Sequence, residues 1–242
     1  MSVEEIVEAC APGRLADGGL SLRLAGARVV CRPSGALWLE AARALIVADL
    51  HLEKGSAYAA RGQLLPPYDT RETLDRLDGE ITAQAPAMIV LLGDTFHDAS
   101  ARSRLAADDL VRLNRLAERV RLVWISGNHD HAGLDGLRGE IAPHASLAGL
   151  SLVHEPAPVP ARGEIAGHLH PCARVRGRAG GVRRRCFVTD GERIVLPAFG
   201  ALTGGLNILD AAFAPLFRRP PLAMALGADR VHAIASASLR PG

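Results

Sequence analysis

Three short aliphatic runs, Ala44–Ala48, Met88–Leu92 and residues 122–125, each stop at a polar cluster. Runs of Val, Ile, Leu and Ala without polar alternation fit strands covered on both faces, the pattern of parallel strands lying under helices. Leu150–Val153 and Glu164–Ala166 are weaker versions of the same signal. A chain with several such strands must cover both faces of its sheet with further layers.

The intervening segments supply candidates for those layers. Asp69 followed by Glu72 has the spacing of a capping box, and Leu74, Leu77 and Ile81 share one helical face, which predicts a helix over residues 70–84. Residues 101–119 predict a second helix with Leu105, Leu110, Leu113 and Leu116 toward the core. Residues 19–39 alternate and break at Gly26 and at Pro33-Ser34-Gly35, so short antiparallel strands at a sheet edge are expected there. Beyond residue 170, Ala173-Arg174-Val175-Arg176, a Gly180-Gly181 turn and residues 183–188 read as a hairpin, whereas the Pro-interrupted residues after 210 show no clear pattern. The fold class is α/β.

Composition narrows the function classes. With 242 residues and 48% hydrophobic content, the chain is expected to be one domain over 1–242, with polar motifs within 49–170, a hairpin-rich part at 171–209 and a tail at 210–242. A net charge of +2 gives no global attraction to nucleic acid or anionic membrane, so polyanion binding must come from a local patch. Glu4, Glu5 and Glu8 stand where a secretory signal carries positive charge, and no apolar stretch reaches spanning length, which predicts a cytoplasmic protein without a membrane partner. Cys10, Cys31, Cys172 and Cys186 are widely spaced, as expected of reduced thiols.

The polar clusters are Asp49-Leu50-His51, Gly93-Asp94, Gly127-Asn128-His129-Asp130, His154 and Gly167-His168-Leu169-His170. Ligands of α/β sheets gather beyond the carboxyl ends of the strands, so these clusters are expected to converge. In extended backbone residues i and i+2 share a side, which pairs Asp49 with His51 and His168 with His170. Gly93 leaves room for close approach, and the two oxygens of Asp94 suit a bridge between two cations. With the carbonyl oxygen of Asn128, this mixed oxygen and imidazole set suits two divalent ions drawn from manganese, iron or zinc.

The order of these elements resembles the calcineurin-like metallophosphoesterase superfamily, with its Asp-x-His, Gly-Asp, Gly-Asn-His-Asp/Glu, His and Gly-His-x-His motifs. The resemblance implies a four-layer α/β/β/α sandwich, two packed mixed sheets flanked by helices. It also implies that Asp49, His51, Asp94 and His170 hold one metal and Asp94, Asn128, His154 and His168 the other. His129 would be the free catalytic histidine, protonating the leaving oxygen during in-line hydrolysis. Many members carry an Asp three residues beyond the bridging Asp, where this chain has His97, so Asp98 or Asp130 is expected to orient His129 instead.

Longer strings are similar to the bacterial ligase-associated DNA-damage-response endonuclease group. They include Asp49-Leu50-His51-Leu52-Glu53-Lys54-Gly55, Gly93-Asp94-Thr95-Phe96-His97-Asp98, Arg184-Arg185-Cys186-Phe187, Leu196-Pro197-Ala198-Phe199-Gly200 and Thr203-Gly204-Gly205-Leu206-Asn207. That likeness spans residues 36–209 and implies a single-stranded or structured DNA substrate, cut with manganese alongside a helicase and a DNA ligase.

Alternation would aim Arg174, Arg176 and Arg178 to one side of a strand next to His168 and His170, a cationic rail for a polyanion. Lys54 and His97 are further candidate substrate contacts. The bland reading makes the Arg-rich stretch, Arg174, Arg176, Arg178, Arg183, Arg184 and Arg185, a solvated face, and an aromatic content of 4% leaves few rings for base stacking. A phosphodiesterase or phosphatase acting on a small ester such as a cyclic nucleotide is the enzymatic alternative. A scaffold that keeps the fold without catalysis is the other, set against the presence of His129 and every expected ligand. Oligomeric state stays open, a dimer included.

Overall fold

Two mixed sheets face each other across a shared apolar layer. In this computed structural model, residues 10–130, 134–177 and 180–241 are described. The first sheet runs in order β1 (Gly13–Arg14), β2 (Leu20–Leu24), β3 (Ala27–Cys31), β4 (Leu37–Leu39), β5 (Ala44–Ala48), β6 (Met88–Leu92), β7 (Arg121–Ile125) and β8 (Glu140–Ala142). Strands β1 to β5 pair antiparallel, as expected of residues 19–39, and β5 to β8 pair parallel.

The second sheet contains β9 (Ala145–Leu147), β10 (Leu150–Val153), β11 (Glu164–Ala166), β12 (Pro171–Gly177), β13 (Gly180–Thr189), β14 (Arg193–Val195), β15 (Leu206–Asn207), β16 (Leu222–Leu226) and β17 (Val231–Ala235). At its centre β10, β11 and β14 are parallel. The Leu-Ala-Met-Ala-Leu run of β16 is the strand signal in the part after residue 210 that sequence reading passed over, and it pairs with β13 and β17.

The aliphatic runs are buried on both faces, as their composition demands. In β5, Ala44, Ile46 and Ala48 face the layer between the sheets, while Leu45 and Val47 pack under helices. Those helices are α1 (Lys54–Ala59), α2 (Asp69–Gln84), α3 (Ala101–Arg104) and α4 (Ala107–Arg119). Leu74, Leu77 and Ile81 of α2 and Leu113 and Leu116 of α4 complete that layer. The outer face of the second sheet carries a third cluster, closed by Phe213 and Leu216 of a single 3-10 segment, Ala211–Leu216. The expected pair of mixed sheets is present, with its fourth layer built from this 3-10 segment rather than from long helices among the described residues.

Several local expectations change. Residues 101–119 form two helices, because Leu105 and Ala106 take extended ψ angles of 130° and 143°. The capping box at Asp69 does not form: Tyr68 is the cap residue without a side-chain bond, and Asp69 instead accepts a hydrogen bond from the Gly55 amide at 3.1 Å. Gly180 and Gly181 lie within β13, paired with Gly177 and Arg176, so the turn expected at Gly180-Gly181 is strand instead, and residues 178–179 lie outside the described residues. All four cysteines are buried and free. No helix among the described residues is long and apolar enough to cross a membrane.

Candidate metal centre

The five clusters leave the carboxyl ends of β5, β6, β7, β10 and β11 and meet there. Asp49, His51 and His170 form one group and Asp94, His154 and His168 another, each with its ligating atoms within 4.8 Å of one another. Asp94 reaches toward both: Oδ2 lies 3.8 Å from His51 Nε2, and Oδ1 lies 3.4 Å from His154 Nε2. His170 Nε2 stands 3.2 Å from Asp49 Oδ1 and 3.2 Å from His51 Nε2.

The i, i+2 spacing works, but not through extended backbone. Asp49 and His51 have φ of 56° and 43°, and His168 and His170 have 69° and 47°, all left-handed. Cross-strand contacts hold these conformations in place. The His51 amide donates to the Asp94 carbonyl at 2.9 Å, and the His168 amide donates to Asp49 Oδ2 at 3.0 Å.

The donor set fits divalent cations. Asp49 and Asp94 are 0% and 2% exposed, and their ion-pair contacts are with histidines. Buried carboxylates without a cationic counterpart are strongly destabilising. His154 Nδ1 donates to the Leu92 carbonyl at 2.9 Å, which turns Nε2 inward, 2.9 Å from Asn128 Oδ1 and 3.2 Å from His168 Nδ1. Imidazole nitrogens and carbonyl or carboxylate oxygens gathered this closely are a donor set suited to a divalent cation. Burial pushes His51 down to about 2, with His170, Lys54, His129 and His97 adding to the effect, so its imidazole is in the neutral, ligating form. His51 Nδ1 is buried without a hydrogen-bond partner. Gly93 and Gly127 make room for the arrangement, since a Cβ on Gly93 would meet the His154 ring and one on Gly127 the Asp94 amide and carboxylate.

A family model, calcineurin-like phosphoesterase, matches residues 42–196, which contain all of these residues. The chain belongs to the calcineurin-like phosphoesterase family. Among solved structures it is similar to a Pseudomonas putida nuclease MPE, at 28% identity and a TM-score of 0.68, over 89% of this chain and 100% of that one. It is less similar to Yfce, a phosphoesterase from E. coli, at 19% identity and a TM-score of 0.42, over 79% of this chain and 98% of that one. None of the curated proteins matches the chain. Membership in the calcineurin-like family supports phosphoesterase activity, the hydrolysis of phosphoester bonds at a dinuclear metal site.

The other predicted residues distribute unevenly. His129 lies at the edge of the centre, its side chain 43% exposed, with its amide donating to Asp94 Oδ1 at 3.0 Å and Nε2 3.9 Å from Oδ2. The carboxylates expected to orient it are engaged elsewhere. Asp98 forks to Arg104 at 3.0 Å on both oxygens. Asp130 accepts from the amides of Thr95, Phe96 and Gly127 at 2.9, 3.3 and 3.1 Å, tying the loop after β7 to the loop after β6. His97 and Lys54 are partly buried at the rim, and burial lowers both, His97 with help from Lys54.

Arg174 is exposed on β12 and faces Arg183 across the ladder. With Cys172, Gly181 and Asn207 they line a cleft of about 360 Å³. Arg178 lies outside the described residues, as does the side chain of Arg176. Arg185, expected on a solvated face, is instead half-buried and donates to the Ala198 carbonyl at 2.7 Å. Arg76 donates to the next carbonyl, Phe199, also at 2.7 Å. These arginines brace the segment whose amides bond Ala48 and Asp49. Sequence reading missed this support because no local pattern links Arg76, Arg185 and Asp49.

Proposed function

We propose that the chain is a single-domain, two-metal phosphodiesterase of the bacterial cytoplasm that cuts DNA internally, as a DNA-repair endonuclease acting alongside a ligase and a helicase. The observation that carries the hydrolytic part is the pair of His/Asp groups with Asp94 between them. Asp49, His51, Asp94 and His170 would hold one cation, and Asp94, Asn128, His154 and His168 the other. Bound there, two divalent ions, manganese by preference, supply clamping of phosphate oxygens and a lowered pKa for the attacking water. His129, open to solvent beside Asp94, holds a proton at Nε2 for the leaving oxygen. The braced backbone of Asp49 and the amide network around Asp130 keep the donors in register.

Support for DNA comes from the likeness to the Pseudomonas putida nuclease and from the guanidinium groups of Arg174 and Arg183 on the strands that follow His170. Metal-stripped protein and its Asp94→Asn variant, resupplied with manganese, should be offered a chromogenic phosphodiester and labelled single-stranded and duplex DNA in parallel. The expected outcome is manganese-dependent cleavage of both substrate types, reduced roughly 100-fold or more in the variant. Charge reversal of Arg174 should depress DNA cleavage far more than ester turnover. Turnover of the ester alone would replace the DNA reading with a small phosphodiester, and silence with every metal would leave a scaffold.

A further inference from the structure

The segment after His51 carries aromatic rings that the core does not use. Among the two Trp, two Tyr and five Phe, the side chains of Trp124, Phe96, Phe187, Phe199 and Phe213 are buried. Trp38 and Phe217 pack against the apolar clusters. Tyr58 and Tyr68 belong to none of the three clusters; Tyr58 lies on α1 and Tyr68 just before α2.

Tyr58 is aligned with the metal centre. Its ring lies near-parallel to His97, centroids 6.2 Å apart at an interplanar angle of 20°. His97 lies near-parallel to His129 in turn, at 6.4 Å and 10°. The three rings form a row from beside Asp94 out to the rim. The backbone at its outer end is held: the Tyr58 carbonyl accepts from the Arg61 and Gln63 amides at 3.0 Å each, and Arg104 ties α1 down through Ser56 Oγ at 2.9 Å.

Cations border the same row. Lys54 lies one helical turn before Tyr58 on α1, and Arg61 follows it, with its amide bonded to the Tyr58 carbonyl. Asp98, next to His97 in the chain, forks to Arg104. A half-buried ring on an anchored helix, with cations beside it in the chain, offers the chemistry that holds single-stranded nucleotides, base on ring and phosphate on cation.

We propose that Tyr58 is a base-stacking residue which, with Lys54 and Arg61, forms a nucleotide subsite on the leaving-group side of the cleaved phosphate. The side follows from the row itself, which starts at His129, the donor to the leaving oxygen. This subsite rests on the phosphodiesterase reading above and adds to it a means of preferring nucleotides over simple esters.

The test uses the full chain loaded with manganese and a set of dinucleoside phosphates, with thymidine on both sides of the phosphate or an abasic deoxyribose replacing it on one side. The wild-type protein should prefer a thymidine on the leaving side over the abasic sugar by about tenfold or more. Tyr58→Ala should erase that preference and Tyr58→Phe should keep it, which separates stacking from a general loss of structure. Equal rates on thymidine and abasic substrates in the wild type, or a preference that survives Tyr58→Ala, would overturn the subsite while leaving the nuclease reading intact. Turnover of a p-nitrophenyl phosphodiester without cleavage of any dinucleotide would remove both.

Discussion

Asp49, His51, Asp94, His168 and His170 all carry positive φ, between 43° and 69°, a region that costs a non-glycine residue about 1–2 kcal/mol. The strain persists because each backbone is held by a neighbouring strand end, and it turns side chains from different strands into one volume. Gly127 shows how little slack remains, since a methyl group there would overlap the Asp94 amide and carboxylate, neither of which is a flexible chain end. Gly127→Ala is therefore expected to lower manganese content and to reduce turnover roughly 10- to 100-fold, while far-ultraviolet dichroism stays native. Metal analysis of the purified variant checks this, and a full metal complement with unchanged activity would contradict it. The residue identities at this scale were legible, because Asp, His and Asn in that order have few other chemical uses. Their left-handed conformations were not, because an i, i+2 pair is equally compatible with extended backbone until the neighbouring strand is in place.

At the scale of elements, the rim is held by α3 gripping α1. Arg104, on α3, bonds Asp98, Ser56 and the Glu53 carbonyl, joining the loop after β6 to the helix that carries Lys54 and Tyr58. Burial pulls the Asp98 carboxyl upward, but the Arg104 hydrogen bonds and charge, with the Ser100 amide, bring it below its usual 3.8. A depressed carboxylate stabilises the fold above its unfolded pKa and loses that contribution as pH falls through its folded value. Asp98→Asn should thus cost about 0.5–1 kcal/mol at neutral pH, discounted for partial exposure, and the difference from wild type should close as pH falls below 3.8. Urea unfolding across that range reads it directly, and a difference independent of pH would refute the ion pair. Residues 101–119 read as one helix from their leucines alone, and the break at Leu105 became visible only once Arg104 had partners on α1.

Across the whole molecule, two sheets bring strand ends from both halves of the sandwich to one edge. The first contributes Asp49, Asp94 and Asn128, and the second His154, His168 and His170. Metal binding therefore couples the sheets, and neutralising two buried carboxylates adds to the stability of the pair. Manganese at about 100 times its dissociation constant should stabilise the protein by about 2.7 kcal/mol, a rise of roughly 5–10 °C in Tm. A thermal scan with and without chelator measures it, with the shift growing with metal concentration. A Tm indifferent to chelator and manganese would argue against a loaded centre.

The order of aliphatic runs and polar clusters by itself determined the layered α/β architecture and which residues could gather as the two His/Asp groups, since both follow from burial periodicity and ligand chemistry. Tertiary structure alone decided what supports and borders that centre. Arg185 and Arg76 converge on one loop from elements far apart in sequence, Asp98 pairs with Arg104 rather than His129, and Tyr58 lines up with His97. Long side chains such as arginine take their partners from whatever the packed chain places within reach, so their roles are set by distances that no local pattern encodes.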